Sequence, residues 1–404
     1  MDEIAREYLL IGLGLGELED GIVDSYFGPA ELLDQARAEK APPIELVARS
    51  AALRARLIEI DDAQRARWLD RQLVALETLA RQTAGEQIPY RELVERCFDA
   101  APEPTPPEEY ARVREELEDL LPGSRDLRER LSARNDQLTV PVDALPSIVD
   151  WLLSELRAAA GAMFSVPEGE HLTVTLVKDQ PWGAYNWYHG GLESLVEINT
   201  DLPMRAPALI GLLSHETFPG HHLEHASKEA RLVRDQGRFE SSIQLINTPE
   251  AYISEGLAEV GVRFVAPAEH WQELLVGICE RAGIAMTAQD AQRNWLIDRA
   301  LHRLRGSSGD AALQMHVAGR SREDVIAFLE QEALSTRDRA EKNLEFLTHP
   351  LWRAYVFCYA GGEHLLTVWV EAAADARGER ERFSRLLSEQ LTPSGIAAEL
   401  AQKA

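Results

Sequence analysis

Cysteine and long apolar runs are both scarce in this chain of 404 residues. Its three cysteines, Cys97, Cys279 and Cys358, lie far apart in apolar helical contexts, which excludes a disulfide framework and a Cys-x-x-Cys metal site. No stretch reaches the roughly 18 consecutive apolar residues that a membrane span needs. The N-terminus lacks the basic-then-apolar order of a secretory signal. These absences predict a globular, cytoplasmic protein without a membrane partner.

Basic residues are also few relative to acidic ones. The chain has 42 Lys and Arg against 67 Asp and Glu, and its formal net charge is -25. Such a surface repels nucleic acid and anionic membranes, and it weakly favours cationic or neutral small substrates. The sequence has no Gly-x-Ser-x-Gly elbow and no cysteine next to a histidine, so no motif supports a nucleophilic serine or cysteine.

Helix-forming sequence dominates what is present. Apolar positions recur every three or four residues, and this spacing predicts one or two long helices in 51–81 and others in 110–121 and 149–161. The proline-rich segment 101–109 is predicted to be an ordinary loop rather than a linker. We therefore expect a mostly α fold.

We predict a helical N-terminal region, residues 1–140, and a catalytic region, residues 141–404, joined in one intertwined unit.

Residues 171–201 differ from the rest because β-branched and aromatic residues alternate around Gly and Pro turns. This pattern predicts a small antiparallel sheet, with 195–199 as its last strand and a helix over 202–226. The segment 192–201 is either an exposed strand that pairs with an extended peptide or a plain packing strand. The aromatic segment 182–191 either lines a pocket or fills the core of the sheet.

The octapeptide HETFPGHH, which begins at His215, places three histidines around a Pro-Gly pair. A straight helix cannot bring His215 beside either later histidine, because residues six or seven apart are separated by about 9–10 Å along the axis. Pro219 removes a backbone donor and Gly220 tolerates unusual dihedrals, so a bulge of two residues is expected. We prefer His221 over His222 as the second metal ligand because it needs the smaller bulge. The remaining histidine would face the substrate cavity, or it would contact a residue that holds a metal ligand in place.

A catalytic zinc needs a third protein ligand and an open fourth position. The segment NTPEAYISEGLAEVG, residues 247–261, offers Glu255 and Glu259 four residues apart on a predicted helix that starts at Thr248-Pro249. We assign Glu255 as the ligand of one zinc per chain. Glu259 would accept a hydrogen bond from a ligating histidine and fix the orientation of its ring.

Residue types also suggest the chemistry. Zinc lowers the pKa of bound water toward about 7, and Glu216 is placed to act as the general base. A donor is then needed for the oxyanion. Tyr359 is the first candidate, followed by Tyr355, Arg353 and His316.

The stretches HETFPGHH and SEGLAE resemble the bacterial family described as domain of unknown function 885, which is grouped with the zincin-like metallopeptidases. Looser similarity covers 18–32, 191–203 and segments within 316–366, so it spans nearly the whole chain. The chain departs from the family pattern at Leu257-Ala258, where a Trp is common, and at GDAALQMH, where the family has a tighter Asp-x-x-Leu-His.

The resemblance implies a mostly helical, zincin-like fold of the gluzincin type, with the small antiparallel sheet beside the metal-binding helix. It also implies a set of site residues: His215, one of His221 and His222, and Glu255 on zinc, with Glu216 as base.

Together these patterns predict a zinc-dependent metallohydrolase, in the first place a peptidase acting on a peptide or a small amide. One alternative is a metal-dependent amidase or esterase with a small non-peptide substrate. The other is a non-catalytic metal-binding helical protein, whose site would be closed by the extra histidine as a fourth ligand.

Overall fold

The computed structural model describes residues 1–180 and 182–402, and most of them are helical. The first 161 residues contain eight α-helices and one short strand. They are α1 (Glu3–Leu18), β1 (Val23–Tyr26), α2 (Ala30–Glu39), α3 (Pro43–Arg56), α4 (Ala63–Thr83), α5 (Tyr90–Phe98), α6 (Pro107–Leu120), α7 (Leu127–Gln137) and α8 (Leu145–Gly161). The helices predicted in 51–81, 110–121 and 149–161 are thus confirmed, with the first of these segments divided between α3 and α4.

A small sheet and the helices that carry the motif follow. They are β2 (His171–Val177), β3 (Ala184–Gly190), β4 (Glu193–Asn199), α9 (Ala206–Glu216), α10 (His221–Lys228), β5 (Ile243–Leu245) and α11 (Pro249–Val265). The remaining helices are α12 (Ala268–Arg281), α13 (Ala288–His302), α14 (Ser307–His316), α15 (Arg322–Gln331), α16 (Arg337–Thr348), α17 (Val356–Glu371), α18 (Ala376–Ser388) and α19 (Pro393–Ala401). None of the described helices combines the length and apolar character that crossing a membrane requires.

The three-stranded sheet is mixed, so the prediction of a purely antiparallel sheet was wrong. Its order is β2-β4-β3; β4 pairs antiparallel with β3 and parallel with β2, which places His171 opposite Glu193. Side chains alternate between the two faces of a strand in parallel and in antiparallel sheets alike. The sequence pattern therefore did not reveal which strands run parallel. Because β4 is the central strand, both of its edges are paired, and of the two alternatives for 192–201 the packing strand is the one observed.

The helix predicted over 202–226 is interrupted. The helix α9 ends at Glu216, and α10 begins only at His221. The expected start of the later helix is confirmed, because the Thr248 side chain caps α11 by accepting a hydrogen bond from the Ala251 backbone amide.

Two large apolar clusters form the core. One combines α1, α3, α4 and α5 with α14 to α16, and the other combines α8, α9 and α12 with the C-terminal helices. The helices α11 and α17 contribute to both clusters, and the first cluster draws on residues from either side of residue 140. All three cysteines are buried with free thiols, as core residues. The helices α11 and α17 thus lie where the two clusters meet, and they also carry residues of the site described next.

Candidate metal centre

The break between α9 and α10 is a bulge of two residues. The Gly220 amide donates to the Ser214 carbonyl at 3.1 Å, and the Leu223 amide donates to the Thr217 carbonyl at 3.2 Å. Each of these bonds reaches six residues back instead of the four of a regular α-helix. The two extra residues allow the chain to continue in the helical direction with His221 returned to the side of His215.

Pro219 and Gly220 explain why the bulge occurs at this point. Pro219 has no amide hydrogen to donate to the preceding turn. Gly220 passes so close to the preceding turn that an added Cβ would lie 1.9 Å from the His215 carbonyl oxygen. Only glycine fits this path.

The bulge and α11 bring together His215, His221 and Glu255. The two Nε2 atoms of the histidines are 3.1 Å apart, and Oε2 of Glu255 lies 3.2 Å from His215 Nε2 and 3.9 Å from His221 Nε2. Two ligand atoms bound to zinc at about 2.1 Å in a tetrahedron are separated by about 3.4 Å. The three atoms therefore form one face of a tetrahedron of suitable size for zinc.

The partners of the three residues leave these inner atoms free for a cation. The Nδ1 atom of His215 lies 3.4 Å from Glu259 Oε1, and Nδ1 of His221 lies 3.2 Å from the Ser254 hydroxyl. Tyr355 donates a 2.7 Å hydrogen bond to Oε1 of Glu255. The other oxygen, Oε2, is buried and has no hydrogen-bond partner in the described parts of the chain. Such outer contacts are typical of metal ligands, and the residues fit a bound metal ion.

Electrostatics at the centre also favour a cation. Burial opposes a charge on His215, yet the nearby carboxylates of Glu255 and Glu259 raise its pKa well above the ordinary value. Glu259 is buried as well, but His215 and Arg305 lower the pKa of its carboxyl. Burial raises the pKa of Glu216, which follows His215 directly in the chain. The negative potential that favours protonated histidine would equally favour a metal ion.

A cavity of about 130 Å³ opens beside these three residues. Glu216 and Tyr359 line it, and the Tyr359 ring stacks with the His215 ring at a centroid distance of 6.5 Å. Tyr355 also reaches the cavity, but its hydroxyl is bonded to Glu255. Arg353 is not among the residues that line this cavity. Of the candidate oxyanion donors, Tyr359 is therefore the one that faces the cavity with a free hydroxyl among the described residues.

Two predicted site residues lie elsewhere. His222 is fully buried, and its ring nitrogens bond to the Ser194 hydroxyl and to Glu170, each at 2.8 Å. Because successive helical residues differ by about 100°, placing His221 at the centre turns His222 toward the sheet. The suggestion that His222 binds the metal is accordingly corrected to a structural role between α10 and β4.

His316 is the second residue that the structure places outside the site. Its Nε2 bonds to the Leu347 carbonyl at 2.8 Å, and its ring packs on Tyr90 with centroids 4.5 Å apart. This position at the end of α14 is held by neighbouring helices, and His316 is not part of the cavity lining. It is thus no candidate for the oxyanion donor.

Sequence reasoning missed several residues that shape the cavity. Asp24 on β1 lines it, as does Asn186 on β3, whose side-chain amide donates a 2.7 Å hydrogen bond to the Glu216 carbonyl. His225 lines it too, one turn after His221, and burial lowers its pKa to about 3. The similarity of 18–32 to the family pointed toward β1. No pattern in the sequence indicated that Asn186 would reach the motif.

The described residues offer two further groups of possible ligands, of which the first shares His221 with the centre. One consists of His221, Glu224 and His225, but Glu224 already bonds to Lys228 at 2.6 Å. The other consists of Glu259, His302 and Glu363, and there Glu259 is paired with Arg305. Both groups already contain a carboxylate neutralised by a basic side chain. The group formed by His215, His221 and Glu255 is therefore the best suited to a metal.

Comparison with known proteins gives structural relatives only. No family model matches the sequence, and no curated protein matches it. The fold is similar to that of a putative lipoprotein from Colwellia psychrerythraea, with a TM-score of 0.57 and 15% identity over 88% of this chain and 66% of that one. It is also similar to that of a putative lipoprotein of unknown function from Shewanella oneidensis, with a TM-score of 0.55 and 14% identity over 98% and 82% of the two chains.

The chain spans about two thirds of the length of the Colwellia protein, and at these identities the likeness concerns the fold alone. A third structure, an M32 carboxypeptidase from Deinococcus radiodurans R1, covers 99% of this chain and 97% of its own, with 12% identity and a TM-score of 0.38. That score is too low to support an argument about shared fold or activity.

Proposed function

We propose that this protein is a zinc-dependent hydrolase of amide bonds, in the first place a peptidase, with a zincin-like fold and membership of the domain of unknown function 885 family. The observation that carries the proposal is the group formed by His215, His221 and Glu255, with a buried carboxylate oxygen that has no partner in the described residues. A buried, unpaired carboxylate oxygen facing two imidazole nitrogens is costly unless a cation lies between them.

When bound, zinc would supply Lewis-acid chemistry and lower the pKa of water. The protein supplies the proton transfer and the orientation. Glu216 faces the cavity next to the first ligand, and its burial raises its pKa toward the range where a carboxylate can take a proton from water and pass it to the leaving amine. Burial raises the pKa of Tyr359 well above its ordinary value, so its hydroxyl stays protonated and can donate to the oxyanion.

The position of His222 favours a catalytic site over a purely structural one. A structural zinc normally has four protein ligands, and the extra histidine of the His-His pair was the candidate for the fourth. It is bonded to Glu170 and Ser194 instead. Three ligands beside a cavity match the arrangement in which the fourth position remains open to substrate.

A second candidate function is hydrolysis of a small non-peptide amide or ester, and the size of the cavity favours it. Its volume, about 130 Å³, is below the roughly 300–1,000 Å³ of ordinary ligand pockets. The same residues would act in both reactions. Comparison of peptides with acylated small molecules as substrates separates the two.

Metal content tests the proposal first. We expect about one zinc per chain by plasma mass spectrometry. His221→Ala and Glu255→Ala should lose the zinc while keeping the helical circular dichroism spectrum. The control, His270→Ala, removes a partly exposed histidine of α12 that bonds to Glu273, and it should keep the metal. A parent protein that is metal-free and takes up no added zinc would contradict the hydrolase.

Activity is the second test, because metal binding alone does not establish catalysis. Glu216→Gln should retain the zinc and lower the rate of hydrolysis by about 10²–10⁴-fold, the usual contribution of a general base. A Glu216→Gln protein as active as the parent would exclude Glu216 from the reaction.

A further inference from the structure

The cavity beside the metal centre contains an acidic side chain that the proposed reaction does not use. Asp24 lies on β1, which pairs with β5, and its side chain lines the cavity. Tyr185 on β3 donates a hydrogen bond to Oδ1 of Asp24. Within residues 1–180 and 182–402, no lysine, arginine or histidine lies within ion-pair distance of this carboxylate. Burial raises the pKa of Asp24 to about 7; the nearby carboxylates of Glu255 and Glu216 add to the rise and His221 opposes it.

The other carboxylates that line the cavity add further negative charge. Glu216 and Glu255 also reach the cavity, whereas its described lining contains neither lysine nor arginine. His225 also lines the cavity. Its Nδ1 is buried and has no hydrogen-bond partner among the described residues, which leaves a polar atom available to a ligand. The side chains around the cavity therefore suit a group that carries positive charge and hydrogen-bond donors.

The volume limits how much of a substrate can enter. A cavity of about 130 Å³ is close to the roughly 150 Å³ of an engineered cavity that holds one benzene molecule. It can take the end of a chain but not several residues of an extended peptide.

We propose that the cavity binds the free α-amino group of the substrate through Asp24, so that the protein acts on the amino end of peptides and on amino-acid amides. This inference rests on the proposed function and names its substrate class. In the reaction, water oxygen bonds to the carbonyl carbon and the carbon–nitrogen bond breaks. The proton taken by Glu216 goes to the leaving nitrogen, which gives an amino acid and an amine.

The binding part of the inference can be tested without turnover. The probes are leucinamide and N-acetyl-leucinamide, titrated by calorimetry into zinc-loaded protein that carries Glu216→Gln. We expect the acetylated probe to bind at least about tenfold more weakly, because an ion pair in a buried site contributes strongly to affinity. Asp24→Asn in the same background should abolish this difference. Equal binding of the two probes, or a difference that survives Asp24→Asn, would overturn the inference.

Two control variants separate recognition from a structural role of Asp24. Asp20→Asn makes the same change of charge at an exposed position four residues earlier and should leave the difference intact. Tyr185→Phe removes the hydrogen bond but keeps the carboxylate, and it should retain the preference for the free amine. If Tyr185→Phe instead abolished the preference as Asp24→Asn does, the amine site would be excluded and Asp24 would serve only to hold Tyr185.

Turnover by the parent protein then distinguishes this inference from the proposed function. Cleavage of leucine p-nitroanilide but not of its N-acetylated form is expected. Cleavage of both forms at equal rates would refute the amine site and leave the hydrolase in place. Asp24-dependent binding of leucinamide without any hydrolysis by the zinc-loaded parent would support the amine site and refute the hydrolase.

Discussion

At the scale of single residues, the metal centre depends on atoms that are absent as much as on those present. Gly220 lacks a Cβ where one would meet the His215 carbonyl, and Pro219 lacks an amide hydrogen where a regular helix would use one. The prediction of a two-residue bulge came from these two residue types, and the hydrogen bonds confirm it. The choice between His221 and His222 followed from the same geometry.

Gly220→Ala should disrupt the centre. Its Cβ would lie 1.9 Å from the His215 carbonyl oxygen and 2.6 Å from the Ser214 carbonyl oxygen, so the bulge must open. We expect loss of zinc and a decrease in the free energy of unfolding of at least about 1–3 kcal/mol, as for other overpacked sites. The control is Gly211→Ala on α9, where an added Cβ meets nothing within 4 Å. If Gly220→Ala bound as much zinc as the parent protein, the close approach of Gly220 to the His215 carbonyl would not be needed for metal binding.

A second prediction at the scale of residues concerns Lys228. Its ammonium is buried, bonds to Glu224 at 2.6 Å and also contacts Glu250. Glu250 in turn accepts a 2.7 Å hydrogen bond from the Trp68 indole. Replacing one partner of a buried ion pair leaves uncompensated charge and typically costs about 3–5 kcal/mol. Lys228→Met should lower the free energy of unfolding in urea by about this amount.

The exposed Lys178 provides the matched control for that change. Lys178→Met should change the free energy of unfolding by no more than about 0.5 kcal/mol. Adding Glu224→Gln and Glu250→Gln to Lys228→Met should recover part of the loss, because the unpaired charges are then removed. No recovery would mean that the loss arises from packing instead of charge.

At the scale of elements, the sequence predicted helices well and the sheet only in part. Periodicity identifies a helix such as α6 or α8 because each buries one face. Strand direction was missed because β2 and β3 flank β4 in opposite directions with the same alternation of side chains. The interruption of 202–226 followed from Pro219, yet the exact ends of α9 and α10 depend on the hydrogen bonds of the bulge.

The crossing of α11 and α17 gives a prediction at this scale. The two helices touch through Gly256 and Gly362, and a Cβ on Gly256 would lie 2.5 Å from the Gly362 carbonyl carbon. Gly256→Ala should therefore push apart the helices that carry Glu255 and Tyr359. The gain in helix propensity is about 1 kcal/mol, and overpacking costs about 1–3 kcal/mol or more, so the net effect is destabilising.

Thermal unfolding and zinc content measure the outcome for Gly256→Ala. We expect a lower midpoint of unfolding and weaker zinc binding, because the Tyr355 hydroxyl no longer reaches Glu255. The Gly211→Ala variant again supplies a glycine-to-alanine change without a clash. An unchanged midpoint and unchanged zinc affinity would show that the crossing tolerates the added carbon.

At the scale of the whole molecule, the site joins residues that the sequence keeps far apart. The three candidate ligands could be identified because HETFPGHH and SEGLAE each hold a recognisable local pattern. Asp24 and Asn186 were not predicted, because the loose similarity of 18–32 gives Asp24 no role and Asn186 lies in no motif. Only tertiary packing brings β1 and β3 to the same cavity. The net charge of -25 agrees in sign with the cavity, but it did not identify the acidic residue that lines it.

The same packing leads to a prediction about cooperativity. Residues 1–140 and 141–404 share one apolar cluster, and the Arg65–Glu240 ion pair at 2.6 Å and the Trp68–Glu250 hydrogen bond also connect them. Their unfolding should therefore be a single calorimetric transition, with equal calorimetric and van't Hoff enthalpies. Trp68→Phe removes the donor to Glu250 and should lower the midpoint of that one transition as a whole. Two separable transitions, only one of which responds to Trp68→Phe, would instead mean that the N-terminal helices fold independently of the metal centre.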